Sequence, residues 1–224
     1  EQAMTQGVQK YMIIDGQQRM TTLTLLLLAL RDYAIMNSDD TTINARRIDN
    51  MLLKNEYESG DERYKLLLTE TDRDILISLV EKKPIAQGTR SRLIENYNFF
   101  TNKLADREIQ PAEVYESIGK LQIVNITLDR AVDDAQAIFE SLNSTGKELS
   151  ESDLIRNYVL MGLEPSEQTY VYEHLWRPME QLFIYETQGT VMDAFFRHYL
   201  TMKLSRIPKQ GRVYEEFKLY HLNC

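Results

Sequence analysis

The chain has 224 residues, 43% hydrophobic and 27% charged, with a net charge of −8 and a pI near 5.1. This length allows one large or two small domains with a sizeable core, and the acidic balance argues against broad nucleic-acid binding while leaving a small phosphate pocket open. One cysteine, Cys224, excludes an internal disulfide framework and points to a reducing, cytoplasmic setting; His174, His198 and His221 are too far apart to read as a zinc site.

Tyr11-Met12-Ile13-Ile14 is a short apolar run that stops at Asp15-Gly16, the pattern of a buried strand meeting a turn. From Thr21-Thr22 to about Met36 the chain is apolar nearly all round, interrupted by Thr24, Arg31 and Asp32, and predicts a central helix. It is too short for a membrane span and lacks the cleavage site of a signal peptide, so no membrane association is expected. Glu1 rather than Met opens the chain, as in a processed fragment.

Ile48–Leu53 and Tyr64–Leu68 read as two short strands joined by a polar connection containing Glu58-Ser59-Gly60-Asp61. Helices are predicted over Thr71–Lys82, with Pro84 beyond the end, over Ser91–Leu104, and from Pro111 through Ile118. Leu121–Leu128 alternates around Val124 and Ile126 as a further strand, and Asp133–Leu142 reads as a helix. Ser150 with Asp153 three residues on resembles a capping box at the start of a helix ending near Met161. After Gly162-Leu163-Glu164-Pro165 only helical patterns follow: Ser166–Ile184, Val191–Leu204 and Val213–Leu222. The expected organisation is a domain over 1–163 and a helical subdomain over 164–224.

Two stretches hold candidate chemistry. In Asp15-Gly16-Gln17-Gln18-Arg19, a turn at a helix N-terminus presents backbone N–H groups toward an anion, and Gly16 permits close approach. Arg19 has the fork geometry for phosphate, and Asp15 is suited to a divalent cation or a water. The bland alternative is that Asp15 caps the helix, Gly16 makes the turn and Arg19 pairs with a surface acid. The second stretch runs from Phe139 through Asn143-Ser144-Thr145-Gly146-Lys147 to Asp153, Arg156 and Asn157, the last three on one helix face. Read alone it is a well-capped helix-loop-helix, and it lacks the glycine spacing of a Walker loop. Trp176, Phe183, Tyr185, Phe195, Phe196 and Tyr199 read as core packing.

Together, Ile14-Asp15-Gly16-Gln17-Gln18-Arg19 with Thr21-Thr22-Leu23, and Phe139 through Lys147 with Leu149, Asp153, Leu154, Arg156 and Asn157, resemble the signature of the DGQQR-motif domain of GmrSD-type, modification-dependent restriction and phage-defence proteins. The resemblance covers roughly Tyr11 to Met161. It implies an α+β, helix-rich fold: a small mixed sheet of ParB/sulfiredoxin-like type with the helical C-terminal subdomain. It further implies a nucleotide site formed by Asp15, Gly16, Gln17, Gln18 and Arg19, with Asn143, Thr145, Gly146, Asp153, Arg156 and Asn157 completing the pocket. Nucleoside triphosphate and Mg²⁺ are the implied cofactors, with Asp15 as metal ligand and, with Arg19, as the group acting in hydrolysis; whether hydrolysis occurs is left open. DNA is an expected partner through the full-length protein or a partner nuclease domain, and a homo-oligomer is compatible with the sequence. The paired histidines of an HNH nuclease hairpin are lacking, so this chain is not expected to cut DNA by that route. The alternative is a non-catalytic ParB-like module that binds DNA or a partner protein.

Overall fold

Helix α1, Gln17–Met36, runs through the middle of the first part of the chain, and five consecutive residues in it, Leu28 to Asp32, are buried. A helix hidden on every side at one level must be surrounded by other elements there. In the computed structural model, residues 8–37, 42–68, 70–128, 135–143, 149–183 and 190–223 are described. They fall into two units, Glu1–Asn125 and Ile126–Cys224.

In the first unit, α1 is followed by a short helix α2 (Ala45–Arg47) that widens into a π-helical turn, Ile48–Leu53. A 3₁₀ turn (Gly60–Arg63) and helices α3 (Glu70–Glu81), α4 (Arg92–Ala105) and α5 (Pro111–Ile118) complete it. Leu25, Leu28, Ala29 and Leu30 of α1 pack with Ile48, Leu53, Leu76, Val80, Leu93 and Leu104 in one core. Each fully buried leucine contributes on the order of 1.5–3 kcal/mol of transfer free energy. Ser91 caps α4 by accepting from the Leu93 N–H at 3.1 Å, and Pro111 opens α5, the latter as the sequence predicts.

The second unit holds α6 (Ala135–Asn143), α7 (Glu151–Met161) and α8 (Pro165–Val171), which passes through a π-helical turn (Tyr172–Trp176) into α9 (Arg177–Gln181). Pro178 lacks an N–H and its ring crowds the carbonyl four residues back, so the turn ahead of it widens: the Arg177 N–H bonds to the Tyr172 carbonyl, five residues back. Helices α10 (Thr190–Leu204) and α11 (Val213–Leu222) follow. Ile155, Trp176, Met192, Phe196, Leu200, Val213 and Tyr214 form the core, with Trp176 and Phe196 stacked at 5.7 Å between ring centroids. The boundary expected at 163/164 falls inside this unit, whose core draws on residues from both sides of it.

The expected small mixed sheet is not there: the described residues contain no sheet and only one isolated antiparallel bridge, Lys54 with Tyr64. Ile48–Leu53 was the misleading run. A short apolar stretch does not distinguish a strand from a buried helical segment by periodicity, and here it closes its own π-type hydrogen bond, Lys54 N–H to Asp49 carbonyl at 2.8 Å. Tyr11–Ile14 and Leu121–Leu128 have extended or irregular backbone without a strand partner, and Tyr11, Ile123 and Val124 are exposed. Apolar alternation marks a strand only where a neighbouring backbone pairs with it. Among the described residues no helix is long and apolar enough to cross a membrane.

Candidate functional site

The Asp15–Arg19 stretch forms the solvent-facing N-terminus of α1. Gly16 is the N-cap residue, in the left-handed region at φ 87° and ψ 7°, and no side chain caps the helix. A Cβ at Gly16 would meet only the Arg19 guanidinium at 3.6 Å, so backbone conformation rather than crowding calls for glycine. The first turn carries no acidic residue. Gln17 turns back to donate from Nε2 to the Ile13 carbonyl at 2.7 Å, which ties the incoming chain to the helix. Thr21 and Thr22 donate to the carbonyls of Gln17 and Gln18, so their hydroxyls are engaged within the helix.

Arg19 Nη2 lies 2.7 Å from Asp15 Oδ2, and the Arg19 side chain is 75% exposed. The structure therefore brings Asp15, Gly16 and Arg19 together as one polar turn. The pair is open to water, so an anion arriving from solvent competes with the carboxylate at little cost. Among the described residues, no group of three or more His, Cys, Asp or Glu side chains is placed to hold a metal. A single carboxylate nevertheless suits Mg²⁺, which takes one or two protein oxygens and completes its shell with phosphate oxygens and water.

The second stretch lies in the other unit. Ser150 caps α7, accepting from the Asp153 N–H at 3.1 Å and donating to Asp153 Oδ2 at 2.8 Å. Arg156 is held by two carboxylates, Asp153 at 3.0 Å and Glu180 at 3.0 Å, and Glu180 also accepts from Trp176 Nε1 at 2.9 Å. Asp193 of α10 accepts from the Ser152 N–H at 2.7 Å, where an external anion would otherwise sit. Asn157 is half-buried on the same helix. Asn143 ends α6, and Thr145 and Gly146 lie outside the described residues. This group is internally balanced, whereas the Gly16 turn faces solvent.

A third group, which no motif in the sequence marks, is a run of ionic contacts across the first unit with alternating sign. Arg63 pairs with Glu81 at 3.0 Å, Glu81 with Lys54 at 3.4 Å, Lys54 with Asp49 at 3.0 Å and Asp49 with Arg31 at 2.9 Å. Arg31 pairs with Asp32 at 3.0 Å and Asp32 with Lys82 at 2.9 Å, while Tyr97 donates to Asp32 at 2.8 Å. Burial alone would raise Asp32 and Asp49, but hydrogen bonds from Arg31 and Lys82 to the first, and from Lys54 and Arg31 to the second, hold both below the usual aspartate range. Burial and the Asp32 hydrogen bond push the Tyr97 phenol up to about 12. Every cation here faces a carboxylate, which makes the run a structural brace. Its sequence signal was the charged pair Arg31-Asp32 inside an apolar helix.

A helical protein with a glycine-capped, solvent-facing Asp/Arg turn ahead of its central helix is the class that fold and site define. The family model described as GmrSD restriction endonuclease, N-terminal domain, matches residues 2–160, and the chain belongs to that family. No curated protein and no solved structure matches the chain.

Proposed function

We propose that this chain is a nucleotide-binding, NTP-hydrolysing regulatory domain of a DNA restriction or phage-defence protein. Family membership supports the restriction setting. The observation that carries the nucleotide reading is the Gly16 turn: a twenty-residue helix begins in a left-handed glycine, without a side-chain cap or a first-turn acid, beside an exposed arginine. The helix dipole and the first-turn amides favour phosphate there.

Bound phosphate oxygens would replace Asp15 on the Arg19 guanidinium, and Asp15 would then be the residue to hold Mg²⁺, which would neutralise phosphate charge, or to orient the attacking water. Gln17 and Gln18 line the exposed first turn. In hydrolysis, water attacks the terminal phosphorus and the bridging oxygen leaves with the nucleoside diphosphate. Arg19 and the amides after Gly16 stabilise the charge that develops.

The test is thermal unfolding with and without millimolar MgGTP or MgATP, in the parent and in Arg19→Ala. A ligand at about 100 times its Kd stabilises the native state by about 2.7 kcal/mol. The expected result is a rise in Tm for the parent that Arg19→Ala abolishes, with the variant's own Tm nearly unchanged. An equal rise in both proteins would remove Arg19 from the site, and no rise in the parent would overturn the nucleotide reading.

A further inference from the structure

Gly162-Leu163-Glu164-Pro165 ends α7 and starts α8: the Leu163 N–H still reaches the Leu160 carbonyl at 3.2 Å, and Pro165 opens the next helix. Helix α8 continues through the π-helical turn into α9, with Trp176 buried and stacked on Phe196. Other large residues of this run stay in water: Tyr170 is 59% exposed, Leu175 61% and Leu182, just past α9, 79%. Where the run begins lies an open groove of about 460 Å³, lined by Leu163, Glu167, Tyr170 and Val171.

The lining combines two aliphatic side chains, one aromatic ring and one carboxylate. Glu167 stands three residues ahead of Tyr170, on the same helix face. Among the described residues no cation pairs with Glu167, whereas Arg156, Arg206, Arg212 and Lys218 of the same unit each face another carboxylate. The helix dipole accounts for an acid in the first turn, but not for the ring and the aliphatic side chains gathered beside it. The Tyr170 ring is set in advance. His174 stacks on it at 4.4 Å between ring centroids, 19° from parallel, and donates from Nδ1 to the Tyr170 carbonyl at 3.0 Å. A ring held in this way loses little freedom on binding.

The negative face of that ring and the Glu167 carboxylate both attract a cation. A long cationic side chain answers the whole lining, with its methylenes on Leu163 and Val171 and its charge toward Glu167 and Tyr170. Guanidinium fits better than ammonium, because it is planar and weakly hydrated, and it stacks on a ring while forking onto a carboxylate. A phosphate would meet an unpaired carboxylate. We propose that the groove at the start of α8 docks an arginine side chain of a partner protein, with Leu175 and Leu182 meeting apolar residues beside that arginine. The groove lies beyond residues 2–160, which the family model matches, and the inference does not depend on the nucleotide reading.

The test follows the amide resonances of Leu163, Glu167, Tyr170 and Val171 in the full chain. The probes are acetyl-Arg-amide, its uncharged citrulline counterpart, acetyl-Leu-Arg-Leu-amide and spermidine. Saturable shifts are expected with acetyl-Arg-amide, tighter binding with the leucine-flanked peptide, and none with citrulline. Glu167→Gln and Tyr170→Leu, both at exposed positions, should each weaken the peptide about fivefold without lowering Tm. Glu164→Gln, an exposed acid outside the groove lining, should leave its affinity unchanged.

No saturable shift, or equal binding of citrulline, would overturn the arginine assignment. An equal loss in Glu164→Gln would reduce the effect to general acidity and overturn it too. Spermidine binding as tightly as the peptide would overturn the protein partner in favour of a free polycation. A dimer seen by sedimentation without any probe, and dissolved by Glu167→Gln, would replace the partner protein with a second copy of the chain.

Discussion

Arg31 of α1 donates from Nη1 to the carbonyl oxygen of Val80, in the last turn of α3, at 2.7 Å. Its Nη2 reaches the Leu79 carbonyl at 3.1 Å. The last carbonyls of a helix have no partner within the helix, and its C-terminus favours a positive charge. A buried guanidinium from a neighbouring helix answers both needs, and α3 ends just before Lys82, which is in the left-handed region at φ 54°.

Arg31 is 1% exposed, so its removal strands partners in a place that water does not readily reach. Arg31→Met should keep the volume roughly constant while leaving Asp32 and Asp49 each short of a partner and the Val80 carbonyl without its guanidinium donor. Breaking one side of a buried ion pair costs about 3–5 kcal/mol. Urea unfolding is expected to show a loss of that size. A loss below about 1 kcal/mol would mean that water or Lys82 compensates the site.

The same network predicts a pH dependence at both ends of the scale. Asp32, Asp49 and Glu81 have folded pKa values below their unfolded ones, so their stabilisation is present above about pH 4 and is lost as pH falls through the folded values. Tyr97 has the opposite sign. Its stabilisation is full below its unfolded value near 10 and is lost as pH rises toward about 12. Urea midpoints measured from pH 2 to 7 and from pH 9 to 12 should show both limbs. Tyr97→Phe should flatten the alkaline limb selectively, and an unaltered limb would place its cause elsewhere.

Gly16→Ala tests the turn itself. The left-handed conformation costs an L-residue about 1–2 kcal/mol, and no close contact adds to that at this position. Unfolding should show a loss of about that size, while circular dichroism keeps the helical signal of the parent. A loss well beyond that range would reveal packing against Gly16 that the present conformation does not contain.

Much of the helical layout was legible in the sequence because its signals are local. Ser91, Pro111 and Ser150 mark helix starts through bonds and ring geometry within three residues, and they do so in the structure. The Asp15–Arg19 pair spans a single helical turn, so the composition of that turn was readable as well. The absence of a sheet among the described residues was not legible. Ile48–Leu53 has the composition of either element, and an extended run such as Leu121–Leu128 becomes a strand only when another backbone pairs with it.

What the sequence determined by itself is therefore the positions of the capped helices and the glycine turn ahead of α1, because bonds between residues a few positions apart decide them. What only the tertiary structure decided is how charge is disposed inside the first unit. Apart from each other, the partners of Arg31 and Asp32 lie 18, 48, 49, 50 and 65 residues away. No local rule connects such distances. The desolvation of a charged pair in the middle of an apolar helix demands compensation, and packing supplies it from α3, α4 and the π-helical turn.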